Sequence, residues 1–298
     1  MFLTIILLIL SFGLTGLFYY FCDWWKVWWM FWVWIPLPFA FFCGLFFLFL
    51  LWLAVMSYFY KRQPQKKPSL FAMLIVHQTA FVIMLYLRIH VTIRGMGKLP
   101  EHKRRFMVVH NHLSSFDEFA LIWAFRNYDM LFISKEENFD IPIVGGWIKK
   151  AGHLAIKQGD LVQGKQIISQ SAEYIKNGKY SITVAPEGTR NKNFPDPLIA
   201  PFHPGTFNMA KEAGCPIVVC AIQNTNATMQ RWPVHMTHVY LDVVGVIDEE
   251  DVAKLTTNEL AEKSRNLILK RFEEKEARFY HLKPKKEKKE EEEEKQEK

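Results

Sequence analysis

Charged residues are almost absent from the first 60 positions of this 298-residue chain, where only Asp23 and Lys26 carry one. Water-exposed segments of proteins usually carry many charged residues, so these 60 positions do not form an ordinary water-exposed segment. It leaves two apolar runs, residues 1–22 and 27–60, each long enough to cross a lipid bilayer. Tryptophans cluster between the runs, where an apolar ring with a polar N–H suits the headgroup level of a membrane. They are Trp24, Trp25, Trp28, Trp29, Trp32 and Trp34. We therefore predict an N-terminal transmembrane helical hairpin over residues 1–60.

A cleaved signal peptide is the alternative for residues 1–22. Such a peptide begins with a basic region and ends at a cleavage site of small residues. The chain has no basic residue before Lys26, and the bulky sequence Cys22-Asp-Trp-Trp follows the run. The hairpin is therefore the favoured interpretation.

Cysteine is scarce, with four residues in the chain: Cys22, Cys43, Cys215 and Cys220. None of them has a metal-ligand spacing with histidines. We predict free thiols packed as small apolar groups, as in a reducing compartment, and we expect no metal.

Acidic residues are missing from positions 61–105, where Glu101 is the only one. Ten basic residues occupy the same segment: Lys61, Arg62, Lys66, Lys67, Arg88, Arg94, Lys98, Lys103, Arg104 and Arg105. A basic segment beside a membrane span attracts anionic lipid headgroups, which we predict as partners. Nucleic acid is the rival partner for a basic chain, but no nucleic-acid-binding module is visible, so we expect none. By the positive-inside rule, the N-terminus and everything after residue 60 lie in the cytoplasm.

Residues 70–87 form a third apolar stretch, interrupted near its middle by His77 and Gln78. This polar pair favours a helix at the membrane interface, or against the soluble domain, over a third span. If the stretch did span, the downstream domain would lie on the opposite side of the membrane. We therefore treat residues 61–89 as a basic linker with an interfacial helix.

From residue 90 onwards, short β-branched runs alternate with helical patterns, which predicts an α/β domain over residues 90–282 with a mostly parallel sheet flanked by helices. Predicted strands are 91–94, 106–109, 131–133, 154–156, 181–184, 216–222 and 239–246. Predicted helices are 115–125, 143–150, 161–176 and 258–278. Residues 283–298 are nearly all Lys and Glu, which indicates a disordered tail.

Two short strings carry candidate chemistry. In His112-Leu-Ser-Ser-Phe-Asp117, a histidine precedes a carboxylate by five positions, close enough for a general-base pair in a strand-to-helix turn. Ser115 with Glu118 predicts a capping box that begins the helix. With ten histidines in the chain, this spacing alone carries little weight, and an ordinary loop histidine is the alternative. Pro186-Glu-Gly-Thr-Arg190 is far less frequent by chance. Its glycine turn and arginine suit an anionic ligand, although a solvated surface turn is the alternative.

Together, NHLSSFD and APEGTR resemble the membrane glycerolipid acyltransferases, whose best-known members make phosphatidic acid from 1-acylglycerol-3-phosphate. The stretches 135–157 and 202–222 resemble two further blocks of the family, so the likeness covers roughly residues 90 to 245. The chain departs from the pattern at Lys157, where arginine is usual, and at His203, where lysine is common. These two changes bear on substrate identity more than on reaction type.

The resemblance assigns the site residues. It implies that His112 and Asp117 are catalytic, the first as general base and the second as its orienter. Lys135 and Arg190 would hold the phosphate of the acceptor, with Glu187, Gly188 and Thr189 forming the anion loop and Lys157 as a weaker candidate. Lys192 more simply fits a solvated loop lysine.

The predicted function is transfer of a fatty acyl group to the 2-hydroxyl of 1-acylglycerol-3-phosphate, a lysophosphatidic acid. The donor is a thioester of coenzyme A or acyl carrier protein, and no organic cofactor or metal is implied. Two alternatives stay open: another lysolipid as acceptor, and a catalytically silent membrane scaffold. The expected location is a membrane with the active domain on its cytoplasmic face, a bacterial plasma membrane being favoured over an internal eukaryotic one.

Overall fold

A computed structural model of the protein describes residues 2–26, 32, 36–63, 67–101, 104–274 and 279. Several sequence predictions fall outside these residues. They concern the side chain of Trp25, the tryptophans 28, 29 and 34, Lys66, Lys103 and the tail 283–298.

The helices and strands follow one another along the chain in an alternating order. The helices are α1 (Phe2–Phe21), α2 (Pro36–Arg62), α3 (Leu70–Tyr86), α4 (Asp117–Ala124), α5 (Gly145–Ala151), α6 (Leu161–Lys176), α7 (Asn208–Ala213), α8 (Thr228–Arg231), α9 (Glu249–Lys254) and α10 (Thr257–Glu273). The strands are β1 (Ile89–Arg94), β2 (Met107–His110), β3 (Met130–Lys135), β4 (Leu154–Ile156), β5 (Ser181–Val184), β6 (Ile217–Gln223) and β7 (Thr237–Ile247).

The chain divides into two compact units that alternate along the sequence. The first contains Met1–Ile83 and Met130–Gln170, and the second contains Met84–Asp129 and Ser171–Lys298. The domain boundaries at residues 60, 89 and 282 stay predictions, since they follow chain order and these units do not.

In the first unit, α1 and α2 form an antiparallel hairpin. The rings of Phe18, near the end of α1, and Phe41, near the start of α2, lie 6.2 Å apart. Both helices are long and apolar enough to cross a membrane. Most of their large apolar side chains are exposed, as expected of surfaces that face lipid rather than a protein core.

The C-terminal half of α2 is anchored to α5, within the same unit. Ser57 Oγ accepts a hydrogen bond of 3.0 Å from the Gly146 N–H, and the indole of Trp147 donates one of 2.9 Å to the Leu53 carbonyl. Both Leu53 and Ser57 are buried. A helix of 27 residues is about 40 Å long, whereas a hydrocarbon core is about 30 Å thick. The excess length of α2 therefore packs on α5.

Helix α3 is 17 residues long, somewhat short for a bilayer span. It buries small and apolar residues such as Ala72, Met73 and Ala80, and it exposes Leu70 and Leu74. This two-sided environment fits the predicted helix that lies against the protein. The parallel pair β3 and β4 completes the strands of the first unit.

The second unit contains a sheet with the strand order β1–β7–β6–β2–β5. Three of its four pairings are parallel, and β6–β7 is antiparallel. The predicted α/β fold with a mostly parallel sheet is therefore confirmed. Strands β2, β5 and β6 are buried along their whole length, so their apolar runs form the core. The parallel pairing of β2 with β5 and β6 places the loops that follow all three at one edge of the sheet.

The helix predictions locate the starts of the long helices α6 and α10 to within one residue. Helix α6 has the predicted bounds, and α10 begins within one residue of its predicted start, behind a capping box formed by Thr256 and Glu259. The prediction ran α10 on to residue 278, but the helix ends at Glu273, and residues 275–278 lie outside the described part. Helices α7, α8 and α9 were not predicted, because four to six residues are too few to show a helical period.

Gly146→Ala should destabilise the protein, because a Cβ at this position would lie 2.0 Å from the Ser57 carbonyl oxygen and force α5 away from α2. We expect a loss of roughly 1–3 kcal/mol, measured as a lower thermal midpoint in detergent micelles. Gly164→Ala in α6 is the matched control, since its Cβ would enter open space and should be neutral or slightly stabilising. Equal midpoints for the two variants would contradict the anchoring of α2.

Candidate active site

The candidate site lies in the second unit, in the loop between β2 and α4. The Nδ1 of His112 lies 2.7 Å from Oδ2 of Asp117. Because a carboxylate can only accept, this nitrogen carries the proton and the other ring nitrogen, Nε2, is left to act as a base. The His112 side chain is 19% exposed and that of Asp117 is fully buried. The loop thus presents an oriented imidazole to the surface and hides its partner.

The capping box predicted from Ser115 and Glu118 is wrong. Helix α4 begins at Asp117, and its preceding residue, Phe116, makes no side-chain cap. Instead, the Phe116 N–H donates to Ser114 Oγ at 3.3 Å. The Asp117 carboxylate reaches back and accepts from the loop N–H groups of Leu113 at 2.8 Å and Ser114 at 3.0 Å. Asp117 therefore closes the loop around the histidine, and it does not cap the helix that it begins.

A fourth donor to Asp117 comes from far along the chain. The hydroxyl of Thr225, which follows β6, donates to Oδ1 of Asp117. Asn224, with a φ of 74°, turns the chain at the end of β6 and is fixed by a bond of 3.1 Å to the His238 carbonyl. Thr225 was missed by the sequence predictions, because no local pattern marks a threonine that serves a carboxylate 108 positions away.

Asn111, beside His112, joins the same loop to β6. Its side chain donates to the Ile222 carbonyl at 3.0 Å and accepts from the Ile222 N–H at 2.8 Å. The residue is fully buried. The backbone on both sides of His112 is thus fixed by hydrogen bonds, which reduces the freedom of the imidazole.

Glu187 supports the backbone of the site and does not face solvent. Its Oε1 accepts from the His112 N–H at 2.6 Å, and its Oε2 accepts from the Ala200 N–H at 3.0 Å. Burial raises the pKa of this carboxyl to about 7, against the opposing effect of the two N–H groups. Its contacts hold the β2 and β5 loops together, and a further bond of 2.8 Å from the Asn191 N–H to the His112 carbonyl does the same.

The anion loop continues through Gly188, Thr189 and Arg190, which are all exposed. Gly188 has a φ of 67°, a conformation that favours glycine, and the ring of His203 lies where a Cβ would otherwise project. The guanidinium of Arg190 donates to Ser115 Oγ at 3.1 Å. A permanent cation therefore lies against the loop that holds His112 and Asp117.

Lys135 and Lys157 belong to the first unit. Lys135 Nζ donates to Gln158 Oε1 at 2.7 Å. Lys157 is exposed, and its backbone N–H donates to Gln163 Oε1 at 2.7 Å. The structure brings together His112, Asp117, Glu187 and Arg190 in the second unit, and these two lysines are described within the first.

His110 is not equivalent to His112. It is buried, its Nδ1 lies 2.8 Å from the Asn111 carbonyl, and burial lowers its pKa to about 4. It therefore stays neutral at physiological pH. The four cysteines are free thiols, but only Cys215 and Cys220 are buried, whereas Cys22, just after α1, and Cys43, in α2, are exposed. Among the described residues, no cluster of metal-ligating side chains occurs.

Comparison with known proteins gives this site a context. Residues 90–223 match a family model described as Acyltransferase. A 1-acyl-sn-glycerol-3-phosphate acyltransferase from the chloroplast of Brassica napus is 31% identical over 147 residues. One from Haemophilus influenzae is 25% identical over 182 residues, which cover 59% of this chain and 73% of that protein. Residues 90–223 are therefore similar to an acyltransferase domain, and they contain His112, Asp117, Glu187 and Arg190.

The fold of the chain is also that of a solved structure. It resembles the 1-acyl-sn-glycerophosphate acyltransferase of Thermotoga maritima with a TM-score of 0.55 and 23% identity, over 70% of this chain and 81% of that one. The match to the Brassica protein covers 49% of this chain but only 41% of the relative. The chain therefore spans about two fifths of the length of the chloroplast relatives it matches, and their activity does not transfer to it automatically.

Glu187→Gln should weaken both stability and activity. The amide oxygen can accept a hydrogen bond from one of the two N–H groups. The amide NH2 then faces the other N–H and leaves it without an acceptor. We expect a loss of about 1–3 kcal/mol and lower activity, since the His112 backbone loses its support. The measurements are the thermal midpoint in micelles and acyl transfer at saturating substrate.

The same variant tests the pKa of Glu187. A raised carboxyl pKa means that the folded state holds the proton more tightly, so the stabilisation is present below pH 4.5, falls as the pH rises, and is lost above about 7. The stability difference between wild type and Glu187→Gln should shrink across this range. Glu262→Gln, on an exposed position of α10, is the control. A difference that grows with pH would contradict the assignment.

Proposed function

We propose that this protein transfers a fatty acyl group from a thioester to the 2-hydroxyl of 1-acyl-sn-glycerol-3-phosphate and forms phosphatidic acid. One observation carries the proposal: the surface-facing imidazole of His112, held at 2.7 Å by the buried carboxylate of Asp117. Relatives named as 1-acyl-sn-glycerol-3-phosphate acyltransferases support this choice of acceptor.

In the proposed reaction, His112 Nε2 removes the proton of the acceptor hydroxyl while its oxygen attacks the thioester carbonyl. Asp117 keeps the tautomer and stabilises the imidazolium that forms. A C–O bond forms, the tetrahedral oxyanion collapses, and the C–S bond breaks. The imidazolium returns the proton to the departing thiolate. No covalent acyl-enzyme is needed, because the two substrates react with each other directly.

Arg190 is the proposed anchor for the acceptor phosphate. Its guanidinium offers a planar pair of donors, and its contact with Ser115 places it beside the catalytic loop. Gly188 and Thr189 would add backbone N–H groups, and Glu187 would hold the loop in place. Lys135 and, more weakly, Lys157 are proposed as further cations for the same phosphate.

The donor is proposed to be coenzyme A or acyl carrier protein, and the chemistry asks for no metal or organic cofactor of the protein. The apolar hairpin of α1 and α2 supports an integral membrane location. We propose the cytoplasmic face of a bacterial plasma membrane, because basic residues such as Lys61 and Arg62 follow α2 and only Lys26 lies in the hairpin turn.

His112→Ala should lower acyl transfer by about a hundredfold or more, since general-base catalysis contributes this much. The assay uses the purified full chain in lipid vesicles, with lysophosphatidic acid and each thioester donor. The thermal midpoint of the variant should fall, because the buried Asp117 carboxylate loses one of its four donors, so both proteins are assayed below the midpoint of the variant.

Wild-type rates in folded His112→Ala would refute the general-base mechanism.

A panel of lysolipids in the same assay separates the alternatives. Strong preference for an acceptor without a terminal phosphate would reject lysophosphatidic acid, an outcome that the changes at Lys157 and His203 make worth testing. No turnover of any acceptor by wild type would leave a membrane scaffold as the function.

Arg190→Ala should act mainly on acceptor binding. Loss of a charged hydrogen bond to phosphate should raise the KM for lysophosphatidic acid about ten- to a hundredfold and change kcat much less. Lys192→Ala is the matched control, an exposed cation two positions further along the same loop. A fall in kcat with unchanged KM, or an equal effect of both variants, would contradict the role of Arg190.

A further inference from the structure

The second unit exposes a cluster of large apolar side chains that belong to segments other than the loop of His112 and the anion loop. They come from two segments, the end of α3 and the region from α8 to β7: Leu85, Tyr86, Met229, Val234 and Met236. The least exposed of these five, Met236, still has 42% of its surface accessible. We call these five residues the exposed apolar cluster. Such clusters on a protein surface mark contact with a partner or a membrane.

The two segments are held together by specific contacts. The rings of Tyr86 and Trp232 lie 5.5 Å apart, and the Trp232 indole donates to the Tyr86 carbonyl at 3.1 Å. Arg88 donates to the carbonyls of Pro233 at 3.1 Å and Val234 at 3.2 Å. The cluster is therefore a preformed surface and not a pair of independent loops, so little conformational entropy opposes its use in binding.

The charge around the cluster has one sign. Residues 84–100 and 224–241 contain no Asp or Glu. Close to the cluster they supply the cations Arg88 and Arg231, together with the histidines at 90, 235 and 238, whereas Arg94 and Lys98 lie at the other end of β1. Exposed apolar and aromatic groups beside cations without acids match the layered chemistry of an anionic bilayer surface, where phosphates lie above the acyl chains.

We propose that the exposed apolar cluster is a second membrane-contact surface, which docks on anionic lipid and inserts its apolar side chains at the boundary between headgroups and acyl chains. Tyr86 and Trp232 are of the type that occupies this level, and Arg88 and Arg231 face the phosphates. A second copy of the chain fits less well. A symmetric dimer would place this cationic surface against itself, with no acid in either segment to compensate.

The position of the cluster connects docking to the site. Met229 lies four positions after Thr225, whose hydroxyl holds Asp117. Met229 lies in the first turn of α8, so a membrane that receives it lies close to the Thr225 segment that binds Asp117. A lysolipid acceptor could then reach the base without leaving the bilayer. The docking surface itself does not depend on the proposed function and can be tested without turnover.

The test uses the full chain with an environment-sensitive fluorophore on a single engineered cysteine. The exposed Cys22 and Cys43 are first replaced by alanine; Cys215 and Cys220 are buried, and burial raises the pKa of the Cys215 thiol to about 12, so they do not react. Val234→Cys carries the label in the cluster. Glu262→Cys, an exposed position of α10 in the same unit, is the control. Both proteins enter vesicles of phosphatidylcholine and phosphatidylglycerol with doxyl-labelled acyl chains.

We expect a blue shift and strong quenching of the label at 234 and neither at 262. Quenching at 234 should fall in vesicles of phosphatidylcholine alone, and it should be lost when Met229→Asp and Met236→Asp are added. Absence of quenching at 234, or equal quenching at both positions, would overturn the proposal. A blue shift at 234 that is already present in detergent and grows with protein concentration would overturn it in favour of a second copy as the occupant. Acyl transfer measured in parallel shows separately whether the proposed function holds.

Discussion

The buried carboxylate of Asp117 is the constraint on which the arrangement of the site depends. A carboxylate without solvent must receive hydrogen bonds, or its burial is too costly to keep. Here the donors are the imidazole of His112, the N–H groups of Leu113 and Ser114, and the hydroxyl of Thr225. To supply them, the loop after β2 must fold back on the first turn of α4, and the loop after β6 must close over it. The geometry of the base follows from satisfying this one group.

Glu187 is a second carboxyl with a different task. It accepts hydrogen bonds from backbone N–H groups on two loops, and it fixes the main chain of His112, whereas Asp117 binds the side chain. One acid therefore orients the imidazole and the other orients the backbone that carries it. Support of this kind would keep the proposed base in place within tenths of an ångström, as the proposed acyl transfer requires. The exposed loop that follows Glu187 is then free to present Arg190 to a ligand.

The apolar helix α2 is also held by specific polar contacts. Helix α2 is apolar enough to enter a bilayer, yet its later turns are hydrogen-bonded to α5 through Ser57 and Leu53. Trp147 fills the space between them, with its ring 5.1 Å from those of Trp52 and Tyr60. Because backbone and indole groups are paired there, the helix is part of a folded unit and not only a tether. An enzyme whose proposed acceptor is a lipid gains from such a rigid attachment.

Strong local patterns determined much of this protein from the sequence. Apolar runs predicted α1 and α2, β-branched runs predicted the seven strands to within a few residues, and helical periodicity predicted both ends of α6. The five-residue spacing of His112 and Asp117, with Pro186 to Arg190, predicted the residues that meet in the second unit. The contact between His112 and Asp117 can be predicted from the sequence, because both residues belong to one short strand-to-helix turn.

Tertiary structure alone decided how those residues are held. Thr225, Ala200 and Ile222 serve the site from distant positions, and no periodicity or propensity connects a residue to a partner in another loop. The start of α4 moved from Ser115 to Asp117, because one carboxylate with several loop donors outweighs a local capping box. Short-range propensity fixes which segments form strands and helices. Hydrogen bonds between buried polar groups of neighbouring loops, at one edge of the sheet, fix how the side chains of the candidate site are positioned.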